Sequence, residues 1–335
     1  MPKSRKNKFI IIGLFVLMII TIIFSFGLGK YPIEPNQVVG IIFSKISNIE
    51  PFWTEKMEII FFNVRLPRII LACLVGCCLS AAGAAYQSIF LNPMAAPDIL
   101  GASNGAAFGA AIAILFYRSG REITISAFIF SLITVGLVYF ISKRAKGNKV
   151  LGLILAGIMV SSLFSAATSF IKLVADPNEQ LPAITYWLMG SLSGTKMADV
   201  KFVILPMIVG IVPLVLLSWQ INMLTIGEDE AKTMGVNTKL IRFVSIIAAT
   251  LITASSVSVS GMIGWVGLVI PHLSRKLVGN NFVYLLPTSM LFGATFLLLV
   301  DNISRNLWTS EVPIGILTAF VGAPFFIYLI TRKEQ

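Results

Sequence analysis

The chain has 335 residues, 56% of them hydrophobic and 12% charged, with a mean hydropathy of +0.89 and a net charge of +11. Soluble domains carry about 25% charged residues, so a water-soluble globule is excluded. At about 20 apolar residues per spanning helix, the length holds ten membrane helices and no separate catalytic domain.

The 26 Lys and Arg sit in short gaps between apolar runs, which is a topology signal and not a nucleic-acid patch. Cys73, Cys77 and Cys78 share one apolar run, where free cysteine acts as a small hydrophobe, so no disulfide framework follows.

In chain order, residues 9–28 follow Lys3, Arg5, Lys6 and Lys8. The run exceeds a signal-peptide core and no A-x-A-like site follows it, so a retained anchor is expected. Apolar runs recur at 65–87, 97–117, 123–142, 150–174, 202–219, 241–260, 261–273, 282–303 and 312–330. The eighth has 13 residues, which reach only about 20 Å as a helix. With ten crossings and an inner amino terminus, 15 of the 26 basic residues fall inside, against 12 if the eighth run does not cross. The positive-inside rule therefore predicts an all-α polytopic membrane protein, a single domain over 1–335 with ten transmembrane helices and both termini cytoplasmic. The longer connections, 29–63 and 175–201, are expected outside with short surface helices.

Small residues recur every four positions at Gly101, Gly105 and Gly109, and at Ala81 with Ala85, predicting flat faces for close helix approach. There is no phosphate loop, no H-E-x-x-H and no paired cysteine spacing, so neither P-loop ATP binding nor a cofactor or metal site is expected. Gly101-Ala102-Ser103-Asn104-Gly105 fits the G-x-S-x-G pattern of serine hydrolases, with His272 as a conceivable base. No strand-to-turn-to-helix context surrounds it and its glycines already form a packing stripe, so packing is the preferred reading. His272 itself reads as a helix-end imidazole bonded to carbonyls.

Between the sixth and seventh runs, Glu228, Asp229 and Glu230 open a helix of one to two turns that Gly235 can stop. By its chemistry alone this is either a capped loop or a docking element. In the fifth run Ser161, Ser165, Thr168 and Lys172 recur at i, i+4, i+7 and i+11. Such a stripe either lines a hydrated path or bonds neighbouring helices and its own carbonyls. Arg65, Arg68 and Arg305 lie at outer helix ends, against the charge bias; snorkelling and forked pairing with carboxylates are both open.

These residues resemble the membrane-spanning permease subunits of iron-siderophore and cobalamin ABC importers, the FecCD type. The likeness runs over 65–329. It rests on Arg65-Leu66-Pro67-Arg68, on Asn92-Pro93-Met94-Ala95-Ala96-Pro97-Asp98-Ile99-Leu100-Gly101 and on Leu153-Ile154-Leu155-Ala156-Gly157. It continues through 227–235, Gly264-Trp265-Val266-Gly267-Leu268-Val269-Ile270-Pro271-His272-Leu273-Ser274-Arg275, and 312–326.

The resemblance implies ten helices per subunit, a second permease subunit with a path between the copies, two ABC ATPase subunits below and an extracellular solute-binding protein above. It implies no catalysis by this chain. It assigns ATPase coupling to Gly227, Glu228, Asp229, Glu230, Ala231 and Gly235, and binding-protein docking to Arg65, Arg68 and Arg305. The path maps to Ser161, Ser165 and Thr168, and the inner gate to Gly147, Asn148 and Lys149. A ferric siderophore is the expected cargo, with haem or cobalamin as alternatives. An ion-coupled secondary transporter is the alternative of another class, with Asp301 and Lys172 its coupling candidates.

Overall fold

The computed structural model describes residues 3–44, 50–144 and 149–331, and every regular element among them is helical. The anchor run forms α1 (Lys3–Gly27). The first long connection contains α2 (Pro35–Phe43), whose Gln37 side chain closes back on the Glu34 N–H at 3.0 Å, and α3 (Glu55–Ile60), capped by the Thr54 hydroxyl. A wider turn, Phe61–Arg65, carries the chain into α4 (Leu66–Ile89), so helix is continuous over Glu55–Ile89.

There follow α5 (Ala102–Leu115), α6 (Gly120–Arg144) and α7 (Lys149–Val174), then α8 (Gln180–Leu188) in the second long connection. The sixth apolar run is shared by α9 (Met197–Leu216) and α10 (Ser218–Leu224), and the acidic stretch forms α11 (Glu228–Thr233). The last four helices are α12 (Thr238–Ser260), α13 (Val266–Val278), α14 (Phe282–Asn306) and α15 (Ile314–Thr331).

Every predicted apolar run falls on a helix. Among the described residues seven helices are long and apolar enough to cross a membrane, whereas α5, α13 and the apolar stretch Ile314–Tyr328 of α15 are shorter. In α13 the cause is visible: residues 261–264 of its run are not helical, and helix starts only after Trp265.

The core is built around α4, which packs on α12, α13 and α14. Lipid tails are as apolar as leucine, so helices associate in a bilayer through close packing, which small residues permit. A Cβ on Gly83 would stand 1.7 Å from the Gly267 carbonyl oxygen of α13, and one on Gly76 would stand 2.2 Å from the Gly293 oxygen of α14. Ala81 and Ala85, the predicted small pair, are fully buried on the same helix.

The α5 stripe divides. Gly105 and Gly109 meet α6, where the Ser126 hydroxyl donates to the Gly109 carbonyl at 2.6 Å, while Gly101 makes the left-handed turn into α5 (φ +76°) beside Ser161 of α7. Ser103 lies in that first turn, its N–H bonded to the Asp98 carboxylate at 2.9 Å. The glycines and serine of the G-x-S-x-G match are thus occupied by packing and capping.

Two ends of the bundle matter for function. At one, Ser4 and Tyr284 tie the start of α1 to the start of α14, and Asn222 of α10 caps α14, bringing α11 beside them. At the far end, α1 and α14 finish against the start of α4.

Candidate functional site

α11 is short, yet its ends are closed by local chemistry. Gly235 adopts φ +79°, the left-handed stop that favours glycine. The Gly235 N–H bonds the Lys232 carbonyl at 2.9 Å and the Val236 N–H bonds the Ala231 carbonyl at 3.0 Å, the paired closure of a Schellman motif. Ala231 and Val236, the residues so joined, are both buried in the main core.

The remaining side chains point outward. Glu228 reaches Lys232 at 3.4 Å and Arg242 of α12 at 3.3 Å, and Asp229 reaches Lys232 at 3.0 Å. Desolvation opposes ionisation of Glu228, but Arg242 and Lys232 outweigh it and hold its carboxyl below the usual range. Hydrogen bonding to Asp229, with Glu228 behind it, raises the Lys232 ammonium above its ordinary value. α11 is therefore a braced knuckle on the bundle end, with the exposed carboxylates of Glu230 and of Lys232-paired Asp229 presented to a partner. Exposed Ile226 and Met234 flank it. Sequence reasoning passed over these two; large apolar residues beside an acidic turn were the available signal.

At the far end the three arginines turn inward, and of the two alternatives Arg68 takes carboxylate pairing over snorkelling. Arg65, Arg68 and Arg305 are all buried. Arg65 donates to the Phe26 and Tyr31 carbonyls. Arg68 bridges Asp301 at 2.9 Å and Glu311 at 2.9 Å, and Arg305 meets the other oxygen of Asp301 at 3.2 Å. Arg305 also donates to Asn302, which in turn donates to Ser25 of α1 at 2.6 Å. The physical reason is desolvation: a guanidinium in a crowded helix end must find acceptors, and Asp301, Glu311 and frayed carbonyls supply them. Asp301, a coupling candidate for an ion-driven carrier, is thus clamped between two arginines. The roles of Asp301, Asn302 and Glu311 in this node were missed in the sequence.

The fifth-run stripe, on α7, is also divided. Ser165 lies on an exposed face with Ser162 and Ser169, Ser161 is half-buried beside Gly101, and Thr168 is buried with its hydroxyl on the Phe164 carbonyl at 2.8 Å. The Ser162 and Ser169 hydroxyls likewise bond carbonyls four residues back, at 2.9 and 3.0 Å. On the open face of α7 the Ser162 and Ser169 hydroxyls are thus satisfied within the helix itself. Of the gate residues, Gly147 and Asn148 lie outside the described residues and Lys149 begins α7. No group of three or more His, Cys, Asp or Glu that could hold a metal occurs among the described residues.

Comparison with known proteins agrees with this architecture. The FecCD transport family matches residues 17–332. The molybdate import system permease protein MolB of Haemophilus influenzae is 41% identical over 326 residues, covering 97% of this chain and 96% of that one. An iron chelatin transport system permease protein of Helicobacter pylori is 41% identical over 280 residues (84% and 85%). The cobalamin import system permease protein BtuC of Halobacterium salinarum is 39% identical over 282 residues (84% and 75%). A solved inward-facing structure of a metal-chelate type ABC transporter superposes with a TM-score of 0.84 at 39% identity, covering 97% of this chain and 99% of that chain. The chain belongs to the FecCD transport family and is a multi-pass ABC transporter permease, a subunit class without catalysis of its own.

Proposed function

We propose that this permease sits in the cell membrane with ten crossings and both termini cytoplasmic. It pairs with a second permease, identical or paralogous, over two ATPase subunits, and imports an iron chelate delivered by an extracellular solute-binding protein. A ferric siderophore is the first choice of cargo. The iron-chelate, haemin and citrate carriers among its relatives support that choice, and molybdate and cobalamin carriers at similar identity keep neighbouring cargoes in view.

The observation that carries the reading is α11. Gly227 opens it, Ala231 anchors it and Gly235 stops it, so a push on Glu228, Asp229 or Glu230 is passed into α12 through Arg242 instead of being lost in a soft loop. Closure of an ATPase dimer would move the knuckle as a rigid body and rock the bundle. The open face of α7, including Ser165 and approached by Ser161, lines the path; buried Thr168 supports it from behind. A wall of short hydroxyl side chains with few charges suits a bulky chelate better than a bare ion. Gly147, Asn148 and Lys149 stand as the gate.

Docking by Arg65, Arg68 and Arg305 requires exchange of partners: carboxylates of the binding protein replace Glu311 on Arg68.

Uptake into vesicles holding the assembled complex should stop with vanadate and survive a proton or sodium uncoupler. Replacement of Glu228, Asp229 and Glu230 together should release the ATPase in a pull-down. Concentrative uptake by the permease alone would defeat the proposal.

A further inference from the structure

At the far end of the bundle a cavity of about 1170 Å³ opens between the α5–α6 turn, α8, the first turn of α9 and the last turn of α12. Arg118, Arg121, Lys196 and Lys201 line it against two acids, Glu179 and Asp199. Asp199 is turned to the Lys196 backbone N–H at 2.8 Å, and Arg118 leans to Glu122 at 3.7 Å. Arg121, Lys196 and Lys201 enter no ion pair among the described residues. Cations are thus in excess where four separate segments converge.

The cavity is amphipathic. Ile114, Ile123, Phe202 and Val259 give it an apolar floor, where Phe202 meets Phe128 edge to face at 5.8 Å, and Tyr186 and Trp187 stand in its wall. A second, smaller hollow of about 380 Å³ is almost wholly apolar: Ile112, Phe116, Ile125, Ile129 and Phe130 form a groove between α5 and α6. Arg118, at the α5–α6 turn, lines both hollows, and its partner Glu122 lines the smaller one.

We propose that this pair of hollows binds one anionic phospholipid. Its phosphate lies among Arg121, Lys196 and Lys201, and one acyl chain lies in the α5–α6 groove below Arg118. The cavity is at the end of membrane-spanning helices, the level of a bilayer at which headgroups, Tyr and Trp gather. Lys and Arg clustered at a membrane surface attract anionic headgroups, each contributing about 1 kcal/mol where the leaflet is negatively charged. A free phosphate would satisfy the cations but leave the groove unused. A docked protein would need neither the depth of the cavity nor the groove. The site is separate from α11, the arginine node and the open face of α7, so it stands independently of the cargo.

The test is lipid counting by native mass spectrometry on the full-length permease purified with its companion subunits. Phosphatidylglycerol, phosphatidylcholine, glycerol 3-phosphate and inorganic phosphate serve as probes. The expected result is one retained phosphatidylglycerol per permease, preferred over phosphatidylcholine by about tenfold or more. Joint replacement Arg121→Ala, Lys196→Ala and Lys201→Ala should abolish the preference, and Ile129→Trp, which narrows the groove, should weaken both lipids.

Equal binding of the two lipids by the unaltered protein overturns the proposal without recourse to any variant. Displacement of phosphatidylglycerol by inorganic phosphate or glycerol 3-phosphate at matched concentration overturns it in favour of a plain anion site. Loss of binding-protein capture by the triple variant with unchanged lipid counts overturns it in favour of a protein-docking surface.

Discussion

Arg68 donates from one terminal nitrogen to both carboxylate oxygens of Glu311, at 3.0 and 2.9 Å, while its Nε holds Asp301 at 2.9 Å. One guanidinium at the head of α4 thereby gathers the end of α14 and the segment leading into α15. Glu311 is the more exposed of the two acids and the only one a partner could readily replace. In the docking proposal it is a resident competitor for an incoming carboxylate. Glu311→Gln should then strengthen capture of the binding protein severalfold, on the order of 1 kcal/mol for a partly exposed pair, with a gain that fades in high salt. Surface plasmon resonance over a salt series measures this. An unchanged or weaker affinity would remove Arg68 from the docking surface.

Asp301 behaves differently, because it is fully buried and shared by Arg68 and Arg305. Asp301→Ala removes the only carboxylate paired with buried Arg305 among the described residues and leaves Arg68 with Glu311 alone, and should destabilise the fold by about 3 kcal/mol. Thermal unfolding in detergent reads the loss. A variant as stable as the parent would show that water reaches the node freely.

Gly83 and Gly13 make a paired control. The Gly83→Ala methyl would collide with the Gly267 backbone, which cannot step aside without moving α13, whereas nothing lies within 4 Å of a Cβ on Gly13. Gly83→Ala should cost about 1–3 kcal/mol or more. Gly13→Ala should be neutral or stabilising by up to about 1 kcal/mol, since alanine favours helix. Equal unfolding temperatures for the two variants would contradict the close contact of α4 with α13.

The ion pairs of α11 predict a pH profile with a definite sign. The Glu228 carboxyl is held below its ordinary 4.5, so its contribution is present above that pH and is lost as pH falls through the lowered value. The Lys232 ammonium is held above 10.5, so its contribution is present below that pH and disappears as pH rises through the raised value. The knuckle should therefore be uniformly ordered between 4.5 and 10.5. A nitroxide at position 234 should report constant mobility across that window and a rise on the acid side, and Glu228→Gln should erase the acid step. Persistence of the step in that variant would assign it to another group.

What the sequence made legible was whatever local chemistry decides. The apolar runs became helices, and α11 could be read because acids at a helix start and a glycine at its stop act within a few residues. The arginines could not be read in this way. Arg68 finds its acids 233 and 243 positions downstream, and nothing beside it distinguishes a side chain that reaches for water from one that folds back. The α7 stripe shows a subtler limit. Ser161, Ser165 and Thr168 share a face by spacing, yet that face falls on the boundary between covered and open surface, so one is half-buried, one exposed and one buried. The basic cavity draws on four segments whose meeting no periodicity announces.

The backbone contacts of α4 with α13 and α14 have a mechanical corollary. Where main chains touch without intervening side chains there is no compliant layer to shear, so tilting α4 must carry α13 and α14 along with it. These three helices form a keel. Alternation of the transporter would then be expressed as displacement of α7 and α9, whose flanks are largely unburied, relative to that keel.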